Sequence, residues 1–309
     1  MGFVMQLILL VIGFVMLIKG ADLFVEGAAS IAERFGIPQL VVGLTIVAMG
    51  TSAPEAAVSI ASALKGSADI TVGNVVGSNV LNVLVILGLT AVITMVPVGI
   101  TTVKYEIPYM ILITVLFLGM GITGNKITLV EGVFLWIAFI AYLVYLLFQA
   151  KKNKDETQEE NKKPMWLLFL LTVGGLALVV WGSDVTVDAA SNIAKAMGMS
   201  ERFIGLTIVA LGTSLPELCT SVSAATKGKA DIAIGNIVGS NVFNILFVVG
   251  TTALITPVAF AQNFVVDTTV AILSGVLLWV AVVLQKGLKR MAGVIMLVAY
   301  AGYFVYLIQ

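Results

Sequence analysis

The sequence predicts an all-α integral membrane protein, with ten transmembrane helices forming two inverted five-helix repeats whose second and seventh helices are broken. Three observations predict it. Of the 309 residues, 60% are hydrophobic and only 11% charged, against about 25% charged in an ordinary soluble domain. Long apolar runs recur from end to end, on the scale a bilayer core demands. The chain also matches itself at a shift of 162 residues: 37–88 aligns with 199–250 without a gap and is identical at 28 of 52 positions. An odd number of spans per half makes the second half enter the membrane from the opposite side, which inverts the repeat.

The first half, 1–150, holds spans near 3–30, 37–64, 70–96, 105–121 and 127–149. The second, 165–309, holds spans near 165–191, 199–226, 232–256, 265–284 and 291–308. The opening "MGFVMQLILLVIGFVMLIKG" lacks a basic leader and a small-residue cleavage site, so it reads as a retained first helix. Gln6 stands where a myristoylation signal wants Ser or Thr. The second span has 28 residues and would be ~42 Å long if straight, against a hydrocarbon core of ~30 Å. Pro54 supplies a break, because it lacks an N–H and clashes with the carbonyl of Gly50. Carbonyls from Ala48 to Thr51 then lose partners, as do those from Ala210 to Thr213 before Pro216.

The third and eighth spans open on Asp69 and Asp231, first-turn acids with a structural role. Trp136, Trp166, Trp181 and Trp279 read as interface or packing aromatics in the flanking spans. The only long polar stretch, 151–164, is a solvated linker. Loops on its side hold twelve Lys and Arg residues, and loops on the other side hold four, Lys65, Lys126, Lys195 and Arg202. That bias places the linker in the cytoplasm and both termini outside, in the plasma membrane.

The composition excludes several chemistries. There is no His and one Cys, Cys219, which removes His-based catalysis, Cys/His zinc sites and an intrachain disulfide. Basic and acidic residues balance at seventeen each, so no field points to nucleic acid. No enzyme constellation and no nucleotide loop appears. Any bound metal must be held by oxygen.

Two motifs carry that oxygen. "GTSAPE" (50–55) recurs as "GTSLPE" (212–217). Thr51, Ser52 and Glu55, with Thr213, Ser214 and Glu217, put hydroxyls and a carboxylate at mid-span, where an ionised group is expensive and by default functional. Facing across the pseudo-axis, two Glu with carbonyls and hydroxyls match the 6–8 oxygens of Ca²⁺. A kink with a satisfied Glu is the bland alternative, and its repetition at matched positions argues against it. "GNVVGSNVLN" (73–82) recurs as "GNIVGSNVFN" (235–244). Ser78 and Asn82 share one helical face, as do Ser240 and Asn244, and their neutral oxygens suit an alkali ion. The glycines serve close helix approach. Asn79 and Asn241 point off that face and are expected to pack or bond locally. Asp22, Glu26, Asp184 and Asp188 also repeat and read as interfacial charges, with Lys19 near Asp22.

Together these motifs resemble the two α-repeats of the cation/Ca²⁺ exchanger superfamily, most of all its prokaryotic sodium/calcium exchangers. The resemblance covers the whole chain. It implies Ca²⁺ ligands at Glu55, Glu217 and the backbone oxygens of Thr51 and Thr213. It implies Na⁺ ligands at Ser52, Ser78, Ser214, Ser240 and the carbonyls of Ala48 and Ala210, with Asn82 and Asn244 completing the centre. The implied activity is exchange of Na⁺ for Ca²⁺ by alternating access, the first and sixth helices sliding over a core. No cofactor is implied beyond the transported ions, the partners are those ions and the bilayer, and a monomer is compatible with the sequence. Asn244 stands where potassium-dependent members carry Asp, which argues against K⁺ co-transport. H⁺/Ca²⁺ antiport is the alternative, disfavoured by the absence of His and the presence of GTSxPE.

Overall fold

The protein is described by a computed structural model covering residues 3–65, 69–152, 163–198, 210–285 and 287–307. The long elements are helices: α1 (Phe3–Phe35), α2 (Gln39–Thr51), α3 (Ala53–Leu64), α4 (Ile70–Ile93), α5 (Thr102–Gly124) and α6 (Leu129–Lys152). After the linker come α7 (Met165–Ala196), α8 (Ala210–Thr213), α9 (Leu215–Thr226), α10 (Ala230–Ile255), α11 (Asn263–Gln285) and α12 (Arg290–Leu307). Eight of these are long and apolar enough to cross a membrane, or nine with the bent pair α2–α3, among the described residues. The expected span 199–226 begins outside the described residues, as does most of the linker.

Burial sorts the helices into a centre and a rim. The apolar window of α10 is 94% buried and that of α4 is 72%, whereas α1, α6 and α7 reach only 22%. The motif-bearing helices are therefore wrapped by the others. The rim turns large apolar residues outward, among them Val130, Leu147, Phe148 and Val298, a surface that suits lipid. In lipid every backbone group needs an internal partner, which is why long helices carry the fold.

The second span breaks as its proline requires. α2 and α3 meet at 48°, with Ser52 at the corner (φ −84°, ψ 7°) and Pro54 in the first turn of α3, a position where its missing N–H is harmless. Ser214 forms the matching corner before α9 (φ −92°, ψ 1°). Not every carbonyl at the break is free: Ala48 O accepts from Ser52 N–H (3.0 Å) and from the Ser240 hydroxyl (3.4 Å). Wider π-turns run from Asn82 to Leu87 within α4 and from Asn244 to Val249 within α10. Such turns insert an extra residue and are frequent at functional sites.

Contacts between the halves follow the 162-residue shift. α1 and α7 lie against each other along most of their length, more extensively than any other pair. Glycines permit the approach: a Cβ on Gly20 would stand 2.8 Å from Val179 N, and one on Gly175 2.4 Å from Phe24 N. The loops pair likewise. Val96 bridges Leu288 through two backbone hydrogen bonds of 3.0 and 2.8 Å. β1 (Lys126–Ile127) pairs antiparallel with β2 (Val258–Ala259).

Candidate cation site

The two GTSxPE corners meet at the centre. Glu55 and Glu217 are each 1% exposed, and Ser52 is wholly buried. The Ser52 hydroxyl donates to Glu217 Oε1 at 2.8 Å, across 165 residues of sequence. Glu55 interacts with Thr213 and Ser78, and the Glu55 and Glu217 carboxylates act on one another electrostatically. Each carboxylate is thus served by hydroxyls of the opposite half. The bend at Ser52 makes this possible, because it turns the first residues of α3 toward the partner repeat.

The helices carrying the second motif hold these corners in place. Asn74, on α4, donates to Glu55 O (3.1 Å) and Ser59 Oγ (2.9 Å). Asn236, on α10, repeats this with Glu217 O (3.4 Å) and Ser221 Oγ (2.9 Å). Asn236 Oδ1 also accepts from the Thr51 hydroxyl at 3.0 Å. Sequence reasoning passed over both residues, although a signal was there. Asn74, Ser78 and Asn82 stand at i, i+4 and i+8, one stripe of a helix, as do Asn236, Ser240 and Asn244.

Asn79 and Asn241 correct the expectation of local bonding: they join the halves. Asn79 Nδ2 donates to Asn241 O (3.2 Å), and Asn241 Nδ2 donates to Asn79 O (3.1 Å). Their amide oxygens accept from the expected ligands, Asn82 Nδ2 to Asn241 Oδ1 (2.9 Å) and Asn244 Nδ2 to Asn79 Oδ1 (3.1 Å). This ring commits the NH₂ ends of Asn82 and Asn244, so their oxygens remain as acceptors.

Several buried oxygens at the centre receive no donor: Glu55 Oε2, Glu217 Oε2, Ser214 Oγ, Asn82 Oδ1 and Asn244 Oδ1. A buried acceptor left unmade costs about 1–3 kcal/mol, and a cation relieves several at once. Among the described residues no group of three or more His, Cys, Asp or Glu side chains is placed to hold a metal. Two carboxylates and neutral oxygens are what remains, a donor set for a hard cation. Of the other expected ligands, Ser78 and Ser240 are buried and Thr213 is half-buried. Ala210 lies at the start of α8, with its backbone alone described.

The remaining repeated acids lie apart from this centre. Asp22 accepts from Ser223 Oγ (2.6 Å) and pairs with Lys227 at 3.1 Å, while Glu26 pairs with Lys163. They tie α1 to its neighbours, and the ion-pair partner of Asp22 is Lys227 rather than the nearby Lys19. Trp136 packs inside, its Nε1 donating to Thr251 Oγ1 at 3.1 Å, whereas Trp166 and Trp181 are exposed.

A helical membrane protein whose halves bring matched carboxylates and neutral oxygens to a buried centre belongs to the class of membrane cation carriers. The family model described as "Sodium/calcium exchanger protein" matches residues 5–148 and 167–309. The chain belongs to that family, as an antiporter of the prokaryotic type within the cation/Ca²⁺ exchanger superfamily. It is 38% identical over 308 residues to the putative antiporter CaxA of Alkalimonas amylolytica, covering 96% of each chain. It is 31% identical over 346 residues to the sodium/calcium exchanger MaX1 of Methanosarcina acetivorans, covering 97% of each. Among solved structures it resembles the sodium-calcium exchanger NCX_Mj soaked with Na⁺ and Sr²⁺, with a TM-score of 0.86 and 31% identity over 98% of this chain and 99% of that one.

Proposed function

We propose that the protein exchanges Na⁺ for Ca²⁺ across the plasma membrane by alternating access. Ten spans would form two inverted halves, 1–150 and 165–309, joined by a cytoplasmic linker at 151–164, with both termini outside. The observation that carries the reading is the pair of buried carboxylates, Glu55 and Glu217, each served by the opposite half and each keeping one oxygen without a donor. Ca²⁺ takes both carboxylates with Thr51, Thr213 and neighbouring carbonyls. Na⁺ takes the neutral positions around Ser52, Ser78, Ser214, Ser240, Ala48 and Ala210, with Asn82 and Asn244 at the centre. Both ions also draw on the oxygens around Glu55 and Glu217, so each displaces the other and the Na⁺ gradient suffices as energy source.

Two features support alternating access. Thr51 is fully buried while its counterpart Thr213 is half-buried, an inequivalence that one-sided access requires. The α1–α7 contact rests on glycines that let the two backbones approach closely, which ties the pair into one body able to move as a unit against the core. The similarity to MaX1 and NCX_Mj, both named sodium/calcium exchangers, supports the choice of ions.

The test is ⁴⁵Ca²⁺ uptake into Na⁺-loaded proteoliposomes, with K⁺ and pH varied. Uptake should require internal Na⁺ and proceed without K⁺. Uptake driven by a pH gradient alone would replace Na⁺ by H⁺ as counter-ion. Uncoupled current would make the protein a channel.

A further inference from the structure

Near the linker end of the molecule, α5 and α6 line an open cavity of about 450 Å³ that the exchange reading does not use. Its lining includes Lys104, Glu106, Tyr109, Leu112, Tyr142 and Tyr145. Glu106 is 1% exposed, and its Oε1 accepts from Tyr145 Oη (2.6 Å) and Gln149 Nε2 (3.3 Å). Glu106 Oε2 has no donor, and Tyr142 Oη, on a side chain 5% exposed, has no partner. Tyr142 is held by stacking on Tyr109, with centroids 5.4 Å apart and planes 10° apart. No Lys or Arg pairs with Glu106 among the described residues.

A buried carboxylate oxygen without a donor and a buried hydroxyl without a partner, on the wall of one cavity lined by tyrosine rings, ask for a cationic donor. A dehydrated metal ion wants about 6–8 oxygens, and this cavity offers far fewer. A primary ammonium carries three N–H donors, enough for Glu106 Oε2 and Tyr142 Oη together. A quaternary ammonium carries none. Lys104 adds a positive charge to the lining, and Pro108, Leu112 and Ala141 make its remaining wall apolar, Leu112 being exposed at the surface. Acidic floor, basic residue and apolar flank form the complement of a zwitterionic amphiphile.

We propose that this cavity binds a phospholipid with a primary-amine head group. Its ammonium donates to Glu106 and Tyr142, its phosphate meets Lys104, and its acyl chains lie along α5 and α6. The inference rests on the membrane placement of these helices and not on which ions are exchanged. Its test reads lipid retention, so it fails independently of the transport reading.

Native mass spectrometry of the purified full chain with equimolar phosphatidylethanolamine and phosphatidylglycerol of matched acyl chains tests it. Roughly tenfold preferential retention of phosphatidylethanolamine is expected for two charge-assisted contacts in a desolvated site. The preference should vanish in Glu106→Gln and fall severalfold in Tyr142→Phe. Equal retention of the two lipids by the unaltered protein overturns the proposal, whatever the variants do. So does a preference that survives Glu106→Gln, or phosphatidylcholine held as firmly as phosphatidylethanolamine. Soluble glycerophosphoethanolamine that competes at lipid-equivalent concentration would overturn the assignment to a membrane lipid.

Discussion

Replacing Glu217 by Gln separates charge from shape. Glutamine keeps the size and one oxygen, so it can still accept from Ser52, which now stands 2.8 Å from Glu217 Oε1. What is lost is one negative charge at a residue 1% exposed. A unit charge pair about 4 Å apart amounts to about 4 kcal/mol at an effective dielectric near 20. A divalent ion loses about twice that, so Ca²⁺ is weakened by about 4 kcal/mol more than Na⁺. At ~1.4 kcal/mol per tenfold, the difference is about three orders of magnitude in relative affinity. The assay is Ca²⁺ uptake by proteoliposomes across a range of external Ca²⁺, repeated with increasing external Na⁺ as competitor. Ca²⁺ flux should be abolished at concentrations that saturate the unaltered protein, while Na⁺ affinity should fall by about three orders of magnitude less than Ca²⁺ affinity. Glu26→Gln makes the same charge change at a half-exposed side chain paired with Lys163, and should leave the Ca²⁺ dependence within about twofold. A Glu217→Gln protein that keeps normal Ca²⁺ uptake, or loses both ions to the same degree, would refute the paired-carboxylate argument.

Other outcomes follow from the same geometry. Because Ca²⁺ needs both carboxylates ionised, protons compete with it, so acidification should raise the Ca²⁺ concentration for half-maximal uptake and leave the saturated rate little changed. Gly239→Ala should destabilise by about 1–3 kcal/mol, since its Cβ would stand 2.7 Å from Leu44 O, whereas Gly77→Ala, inside α4, meets nothing within 4 Å and should raise the melting temperature slightly. Asn79→Ala removes its amide's bonds to Asn241 and Asn244. It strands buried partners at about 1–3 kcal/mol each, so it should lower both the thermal midpoint and Ca²⁺ affinity, as a thermal-shift series with and without Ca²⁺ would read.

Much of this molecule is written in local pattern. Hydrophobic run length dictates spanning helices, because a bilayer leaves backbone groups no other partner. Pro54 and Pro216 dictate corners, because proline removes a donor wherever it stands. The repeat at 162 residues placed Glu55 with Glu217 and Asn82 with Asn244 as counterparts before any coordinate. Helical spacing also carried Asn74 and Asn236 in the same stripe as Ser78 and Ser240, a signal that asked only to be extended by one turn.

Other features depend on how the halves meet. Asn79 and Asn241 look displaced on a single helix; they become a cross-linked pair only when α4 and α10 are brought side by side. Which oxygens of Asn82 and Asn244 stay free follows from that pairing, because a partner residue consumes their NH₂ ends. Ser52 reaching Glu217, and Lys227 rather than Lys19 ion-pairing with Asp22, are likewise contacts across more than 160 residues. Run length, periodicity and breakers act within a few turns of one helix, and the sequence alone determined what they govern. Partners distant in the chain are selected by packing, which no local pattern encodes, so only the tertiary structure decided them.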